Sequence, residues 1–215
     1  MHRVAEVAAN LAAVRVRIER AGGDPDAIAI VAVTKGQPVE ACRAAVAAGL
    51  TVLGENRVQE ALDKMDDVAG ATWHLIGHLQ TNKARHAKRF ELVQSLDSVR
   101  LAEALAARGL SAALLEVNVS REAQKHGVAP EDAVVTAAAV ADLVDVRGLM
   151  GMGPTSGDPR PAFAELRRLR DEVEQRLGRP LPVLSMGMSE DLEAAVAEGT
   201  TMVRIGRALL GPRQP

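Results

Sequence analysis

Short apolar runs alternate with longer stretches of helical periodicity along most of this 215-residue chain. The first run, residues 28–33, is continuously apolar, which is typical of a parallel strand buried on both faces. A predicted helix follows it, with Pro38 in the first turn and Gly49 at the end. The same alternation predicts seven more strands, at residues 52–54, 73–76, 92–96, 112–119, 144–150, 182–185 and 202–205. Helices begin near residues 57, 82, 98, 130, 160 and 190, and a short segment follows the last strand.

Eight strand–helix units in succession predict a parallel sheet with right-handed crossovers. In a chain of 215 residues they fit a single (β/α)8 barrel of the TIM type, at the short end of the usual size range. An amphipathic, charged pattern over residues 1–21 predicts an extra N-terminal helix. An open, doubly wound sheet is the alternative architecture. Because no linker rich in Pro, Gly or Ser divides the chain, we predict one domain over residues 1–215.

The amino-acid composition bears on the fold, the ligands and the cellular location that we expect. Two Phe, one Trp and no Tyr leave an aliphatic core, which favours helices packed on buried strands over a β-sandwich. A net charge of −2, and a basic stretch at residues 83–89 without aromatics, argue against nucleic-acid binding. No segment has the length and apolarity of a membrane span or a signal peptide. With Cys42 as the one cysteine, predicted to pack inside a helix, we expect a cytoplasmic protein whose charged exterior permits a monomer.

Lys35 follows the first predicted strand, and the working groups of such barrels lie where strands end. Only five of the 26 lysines and arginines are lysines, so a cation needed merely for solubility would more often be arginine. Beside an apolar strand the side chain is partly desolvated, which favours the neutral amine that attacks carbonyl groups. Taken alone, Lys35 is equally well explained as a lysine that extends to solvent at the barrel rim.

The ends of the seventh and eighth strands carry the features of a phosphate site, which TIM-type barrels commonly form there. Ser185, Gly187 and Ser189 place two hydroxyls around a glycine just before a predicted helix. Gly206 allows close backbone approach before the last segment. Either loop alone is equally well explained as a serine cap with a turn glycine, but both stand where a phosphate site is expected.

In a closed barrel the first strand neighbours the eighth, so Lys35 is expected beside this predicted phosphate site. Arg204 adds a permanent donor there, and its alternative role is an ion pair with a carboxylate such as Glu116. A carbonyl-reactive lysine next to a phosphate site predicts a phosphorylated aldehyde as the ligand. A barrel enzyme of the aldolase type, using Lys35 as its Schiff-base lysine, is a further interpretation of the same features.

Six groups of residues, spread in order over nearly the whole chain, are specific in combination. They lie at residues 32–35 (AVTK), 53–57 (LGENR), 73–77 (WHLIG) with 79–83 (LQTNK), 148–150 (GLM), 184–191 (LSMGMSED) and 203–206 (VRIG). Together they closely resemble the pyridoxal phosphate homeostasis proteins, a family related in fold to the barrel domain of alanine racemase.

This resemblance implies a barrel like that of the fold type III enzymes of pyridoxal 5′-phosphate (PLP). It implies that PLP is held as a Schiff base on Lys35 and that Arg204 faces the pyridine nitrogen. The other residues that it places at the cofactor are Ser185, Gly187, Ser189 and Gly206 around the phosphate, and Asn56 and Met150 along the pocket.

The chain departs from the family pattern at a few positions. Many members have His-Ser before the aspartate of the fourth strand, where this chain has Gln94-Ser95, and Leu210 stands where an aromatic residue is common. His78 lies at a variable position and receives no role. Neither departure touches the lysine or the phosphate loops, so the prediction of cofactor binding stands.

Two functions from different classes follow from this reading. The first is a non-catalytic protein of intracellular PLP homeostasis that stores, buffers or delivers the cofactor, with apo PLP enzymes as candidate recipients. The alternative is a PLP-dependent amino-acid racemase, but alanine racemase uses a tyrosine from a second domain of the partner subunit, and this chain has no tyrosine. An arginine donates to the pyridine nitrogen without giving up its proton, so the ring is a weaker electron sink. We therefore expect no appreciable amino-acid turnover.

Overall fold

The eight predicted strands form one closed, all-parallel barrel in the computed structural model, which describes residues 2–109 and 112–212. The strands are β1 (Ala29–Val33), β2 (Val52–Glu55), β3 (Thr72–Leu75), β4 (Leu92–Leu96), β5 (Ala112–Val117), β6 (Asp145–Gly151), β7 (Val183–Ser185) and β8 (Met202–Ile205). Each strand pairs with the next, and β8 returns to pair with β1. The TIM-type barrel is confirmed, and the open sheet is excluded.

Helices cover the outside of the barrel between successive strands. They are α1 (His2–Arg20), α2 (Val39–Ala47), α3 (Val58–Met65), α4 (Val99–Ala106), α5 (Ala133–Ala141), α6 (Arg160–Leu177), α7 (Leu192–Ala197) and α8 (Arg207–Leu210). Cys42 is buried in α2, as expected, and this burial raises the pKa of its thiol to about 11, so the thiol stays protonated. Across the described part of the chain, no helix combines the length and the apolarity that a membrane crossing needs.

The predicted N-terminal helix is confirmed and packs beside the junction of β8 and β1. Val7, Val14 and Ile18 are buried, and α1 contacts α2, α7 and α8. Nδ2 of Asn10 donates to the backbone oxygen of Leu209, 3.0 Å away. The helix therefore covers the place where the two ends of the barrel sheet meet.

The segment after β3 differs from the prediction of an α-helix, because residues Thr81–Arg89 form a 3₁₀ helix. Ala84, Ala87 and Phe90 are all buried and recur every three residues. A 3₁₀ helix has three residues per turn, so this spacing forms a single apolar stripe along it. A second 3₁₀ turn, Pro130–Asp132, leads into α5 where the sequence predicted a helix start.

Alternate residues of the strands face opposite sides of the barrel wall, as the pleat requires. One buried group places apolar side chains in the barrel interior. Its members are Val31, Leu92, Ala112, Leu114, Met150 and Met202. A larger cluster joins the outer faces of the strands to the helices.

Candidate functional site

The structure brings the predicted site residues to the carboxyl end of the barrel, where the strands lead into their helices. Their positions are Lys35 just beyond β1, Asn56 directly after β2, Met150 in β6, Ser185 at the end of β7, Gly187 and Ser189 in the loop that follows, Arg204 in β8 and Gly206 directly after it. Lys35 and Asn56 are half-buried, and Met150 lies at 1% exposure in the apolar interior layer. Met150 lies opposite Ser185 in the register of β6 and β7.

The pairing of β1 with β8 brings the first and the last strand of the barrel together. Val31 lies opposite Arg204 in the register of the two strands. A methyl group added to Gly206 would sit 3.4 Å from Cβ of Val33, so Gly206 lies against the strand that leads to Lys35. This confirms that the first strand neighbours the eighth, on which the expected proximity of Lys35 to the loops of the last strands rests.

A buried polar network outside the barrel wall holds the backbone on both sides of Lys35. Nζ of Lys64, on α3, donates to the backbone oxygen of Thr34 at 2.9 Å. It also donates to the carboxylates of Glu55 at 2.7 Å and Glu60 at 2.8 Å. Oε1 of Glu60 in turn accepts from the backbone N–H after Lys35, that of Gly36, at 2.5 Å.

The network joins one ammonium to two carboxylates, and burial raises the pKa of the Glu55 carboxyl. Burial alone would lower the pKa of Lys64, but its hydrogen bonds to Glu55 and Glu60 outweigh that effect and raise it. Lys64 therefore stays protonated although only 8% of its side chain is exposed. The hydroxyl of Thr34 completes the network by donating to Oε1 of Glu55 at 2.6 Å. The turn that presents Lys35 is thus fixed by buried, charge-assisted hydrogen bonds.

The loop after β7 has a geometry that only glycine fits. Gly187 has φ +96°, and a Cβ there would lie 2.5 Å from Cβ of Ala195 on α7. Its carbonyl accepts from the backbone N–H of Arg204 at 2.9 Å, which ties the loop to β8. Nη2 of Arg17, on α1, donates to the backbone oxygen of Ser189 at 2.9 Å. The half-buried Ser189 is therefore held in place from the N-terminal helix.

The side chain of Arg204 is buried and is held by residues of β6 and β7. Nη1 donates to the backbone oxygen of Ser185 at 2.9 Å and to its Oγ at 2.6 Å, and Nη2 donates to the backbone oxygen of Gly151 at 2.9 Å. Burial lowers the pKa of Arg204 to about 10, which the nearby charges of Glu116 and Asp191 oppose. Within the described residues no ion pair joins Arg204 to Glu116, so the alternative role considered for this arginine is not the one adopted.

Ser185 has an environment that the sequence did not suggest. Its Oγ donates to Oε1 of Gln94 at 2.7 Å and accepts from Arg204. Gln94 lies on β4, which is not a neighbour of β7, so this bond spans the barrel interior. A hydroxyl whose proton goes to Gln94 has none to donate to an anion. The phosphate contact of Ser185 stays a prediction, and its observed bonds orient Arg204.

Gln94 and His74 belong to this interior network and were missed as site residues. The expectation that the departure at Gln94 does not touch the phosphate loops was wrong, because Gln94 accepts from Ser185. Nε2 of Gln94 lies 3.0 Å from Nδ1 of His74 and also contacts the sulfur of Met202 at 3.2 Å. Burial lowers the pKa of His74 to about 4, so its ring is neutral. The sequence feature that could have identified them is a polar residue, in an otherwise apolar strand, at a position whose side chain faces the barrel interior.

Glu116, on β5, is a second buried ionisable group of the interior. It is 3% exposed, and its Oε2 atom has no hydrogen-bond partner among the described residues. Burial, together with the negative charge of Asp97, raises its pKa to about 7, and Arg204 partly offsets both. This part of the barrel therefore contains a buried carboxylate oxygen whose hydrogen-bonding capacity the surrounding protein groups do not satisfy, near a buried guanidinium.

Comparisons with known proteins agree with this geometry. The chain matches the family model of the alanine racemase N-terminal domain over residues 3–214. A pyridoxal phosphate homeostasis protein from Pseudomonas aeruginosa is 44% identical over 224 residues, covering 99% of this chain and 97% of that protein. One from Escherichia coli strain K12 is 37% identical, with 97% of each chain covered.

Solved structures resemble the barrel closely. PipY of Synechococcus elongatus, in a structure without PLP, has a TM-score of 0.86 and 37% identity, covering 95% of this chain and 100% of that one. The same protein with PLP bound has a TM-score of 0.83 at 36% identity, covering 95% and 100% of the two chains. Alanine racemase of Corynebacterium glutamicum, at 17% identity and TM-score 0.73, covers 99% of this chain and 62% of that one and shows the fold alone.

The fold and the site define a barrel of the alanine racemase N-terminal class. Within that class, the chain belongs to the family of pyridoxal phosphate homeostasis proteins.

The buried network around Lys64 generates the first prediction. Replacing Lys64 by Met leaves two carboxylates without their partner, one of them fully buried, and should lower the free energy of unfolding by about 3–5 kcal/mol. Denaturant titration measures this loss. The control is Lys88→Met, because Lys88 is exposed on the 3₁₀ helix. Adding Glu55→Gln to Lys64→Met should recover part of the loss; equal stability of Lys64→Met and Lys88→Met would contradict the assignment.

The environment of Glu116 predicts a pH dependence of stability. Because its folded pKa of about 7 lies above the unfolded value, the stability that it contributes is complete at low pH and is lost as pH rises through about 7. Between pH 4.5 and 7 the cofactor-free protein should therefore lose stability relative to Glu116→Gln, by about 3 kcal/mol at most. Unfolding curves across that range measure the difference. Parallel pH profiles for the two proteins would show that this carboxyl titrates normally.

Proposed function

We propose that this protein binds PLP through a reversible covalent bond to Lys35 and serves intracellular PLP homeostasis by storing, buffering or delivering it. The observation that carries the proposal is the β1–β8 pairing, which sets the Lys35 turn beside Arg204 and Gly206. Membership of the homeostasis family and the PLP-bound structure of its Synechococcus relative support the proposal. The chemistry that PLP supplies is an aldehyde that exchanges between amines by Schiff-base formation.

Each residue of the site has a proposed role that suits its surroundings. Lys35 provides the amine, held by the buried network of Lys64 behind its turn. Gly187, Ser189 and Gly206 surround the phosphate at the ends of β7 and β8. Close approach of the backbone to an anion suits the left-handed Gly187, where a side chain would meet α7. Asn56 and Met150 line the pocket.

Arg204 fits the edge of a pyridine ring better than it fits a phosphate. The bonds to Ser185 and Gly151 use three of its five N–H groups, which leaves donors for a ring nitrogen. Its position in the barrel interior, held by β6 and β7, places it deeper than the loops that follow β7 and β8. Ser185 contributes to the same contact by fixing the guanidinium, in place of the phosphate contact that its sequence position suggests.

A carrier role accounts for these features better than catalysis does. Lys35 is half-buried, and a bond to an accessible amine exchanges with water or with other amines. A two-base racemase needs a second acid–base group such as the tyrosine of alanine racemase, and the sequence contains no tyrosine. We further propose apo PLP enzymes as recipients, a monomeric state and a cytoplasmic location.

The two serines should have separable effects on binding. Ser189→Ala removes a charge-assisted hydrogen bond to the phosphate and should weaken PLP binding by roughly tenfold or more, with little effect on pyridoxal. Ser185→Ala loosens Arg204 and should weaken both ligands alike. Fluorescence titration with PLP and with pyridoxal measures the two ratios. Equal affinity of the unmodified protein for PLP and pyridoxal would refute a phosphate site.

Function is tested by following the cofactor from the loaded protein. Incubation with an apo PLP enzyme should activate that enzyme, and incubation with L- or D-alanine should give no sustained turnover. An equal concentration of free PLP is the control that separates delivery from buffering: faster activation by the loaded protein indicates delivery, and equal or slower activation indicates buffering. Sustained racemisation or transamination that disappears in Lys35→Ala would overturn the carrier role in favour of an enzyme.

A further inference from the structure

Three side chains outside the proposed cofactor site lie together at the carboxyl ends of β3, β4 and β5. His78 follows β3, Asp97 follows β4, and His126 lies in the loop after β5. Nδ1 of His78 is 3.1 Å from Oδ2 of Asp97. The two imidazole rings are stacked, with centroids 4.1 Å apart and planes inclined by 12°. One ligand atom from each of the three residues lies within 4.8 Å of the other two.

The position of His126 is fixed by its loop. The backbone N–H of Asn118 donates to the backbone oxygen of Val128 at 2.9 Å, and its side-chain amide donates to the backbone oxygen of Glu122 at 3.0 Å. Gly127 has φ +109°, and a Cβ there would lie 2.7 Å from the backbone nitrogen of Asn118. The residue after His126 must therefore be glycine for the loop to fold back over the end of β5.

The other two residues are held equally well. Oγ of Ser95 donates to the backbone oxygen of Gly77 at 2.7 Å, which anchors the chain directly before His78. Oγ of Ser98 lies 3.2 Å from Oδ1 of Asp97 and also caps α4. Oδ2, the oxygen that faces His78, is thus oriented by a bond to the other carboxylate oxygen.

We propose that His78, Asp97 and His126 bind one divalent first-row transition-metal ion, with Zn²⁺ as the best fit. Imidazole nitrogen and carboxylate oxygen are ligands of such ions, and neutral imidazole is the form that binds. In a tetrahedral site with metal–ligand bonds of about 2.0–2.1 Å, neighbouring ligand atoms are about 3.3 Å apart. His78 and Asp97 already approach that spacing, and exposed His126 must turn its ring out of the stack with His78 so that its nitrogen faces the same ion.

Electrostatics favour a cation at this place. The negative charge of Asp97 repels the ionised form of the buried Glu116. A cation beside Asp97 offsets that repulsion. Three protein ligands leave a fourth position open, as in zinc sites that bind water or a substrate. The cluster stands across the barrel mouth from β7 and β8 and uses none of the residues proposed for PLP, so the inference does not depend on the proposed function.

Calorimetric titration of the purified full-length protein with ZnCl₂ tests this site. We expect saturable binding of one ion per chain. His78→Ala and His126→Ala should each weaken it by at least about tenfold, the scale on which metal sites respond to lost partners. The matched control is His86→Ala, because His86 lies on the 3₁₀ helix outside the cluster, and it should leave Zn²⁺ affinity unchanged. Circular dichroism and thermal unfolding establish that every variant is folded.

Two further measurements make the outcome decisive. Titration of Lys35→Ala protein separates ions held by the cluster from ions held by the cofactor, and it should give the same stoichiometry and affinity. Anomalous diffraction from Zn²⁺-soaked crystals should place a peak between the two imidazoles and Oδ2 of Asp97. Absence of saturable binding, or unchanged affinity in the His78→Ala and His126→Ala proteins, would overturn the proposal.

Discussion

The pairing of β8 with β1 is the constraint on which the site depends. It closes the sheet and removes both of its edges. It also fixes the register of the first strand against the last, with Val31 opposite Arg204. Lys35 and the loops of the last two strands are distant in sequence and meet only because the barrel closes. Helix α1 covers this junction and contributes directly to the loop through Arg17. A change that opened the barrel here would separate the amine from every proposed partner of the cofactor.

The two faces of the barrel wall stabilise different parts of the site. On the outer face, Lys64 and its carboxylates hold the backbone of Thr34 and Gly36, so the turn of the lysine is fixed from behind. On the inner face, Ser185 holds the guanidinium of Arg204. Both arrangements bury charge, and hydrogen bonds to the charged groups offset most of that cost, although Oε2 of Glu55 has no hydrogen-bond partner among the described residues. Because these groups are already ordered, little conformational entropy is lost in ordering them when a ligand binds.

The fold was largely predictable because its strands are short, mainly apolar runs that alternate with stretches of helical periodicity. Lys35, Arg204 and Gly206 were predictable because strand order places the ends of β1, β7 and β8 together. The 3₁₀ helix after β3 was not, since the three-residue spacing of Ala84, Ala87 and Phe90 lies close to the spacing of an α-helix. Long-range contacts between side chains were not predictable, because they depend on distances between strands that no local sequence pattern encodes. Examples are the bonds of Gln94 to Ser185 and of Lys64 to Glu55, and the stacking of His78 on His126.

Covalent attachment at Lys35 is the central claim, and borohydride reduction followed by peptide mass mapping tests it most directly. Reduction converts a Schiff base into a stable secondary amine, so the mass of the modified peptide identifies the lysine. We expect a pyridoxyl-phosphate adduct on the peptide that contains Lys35, and loss of the bound cofactor's visible absorbance in Lys35→Ala. An adduct found only at Lys64, Lys83, Lys88 or Lys125, with none at Lys35, would contradict it.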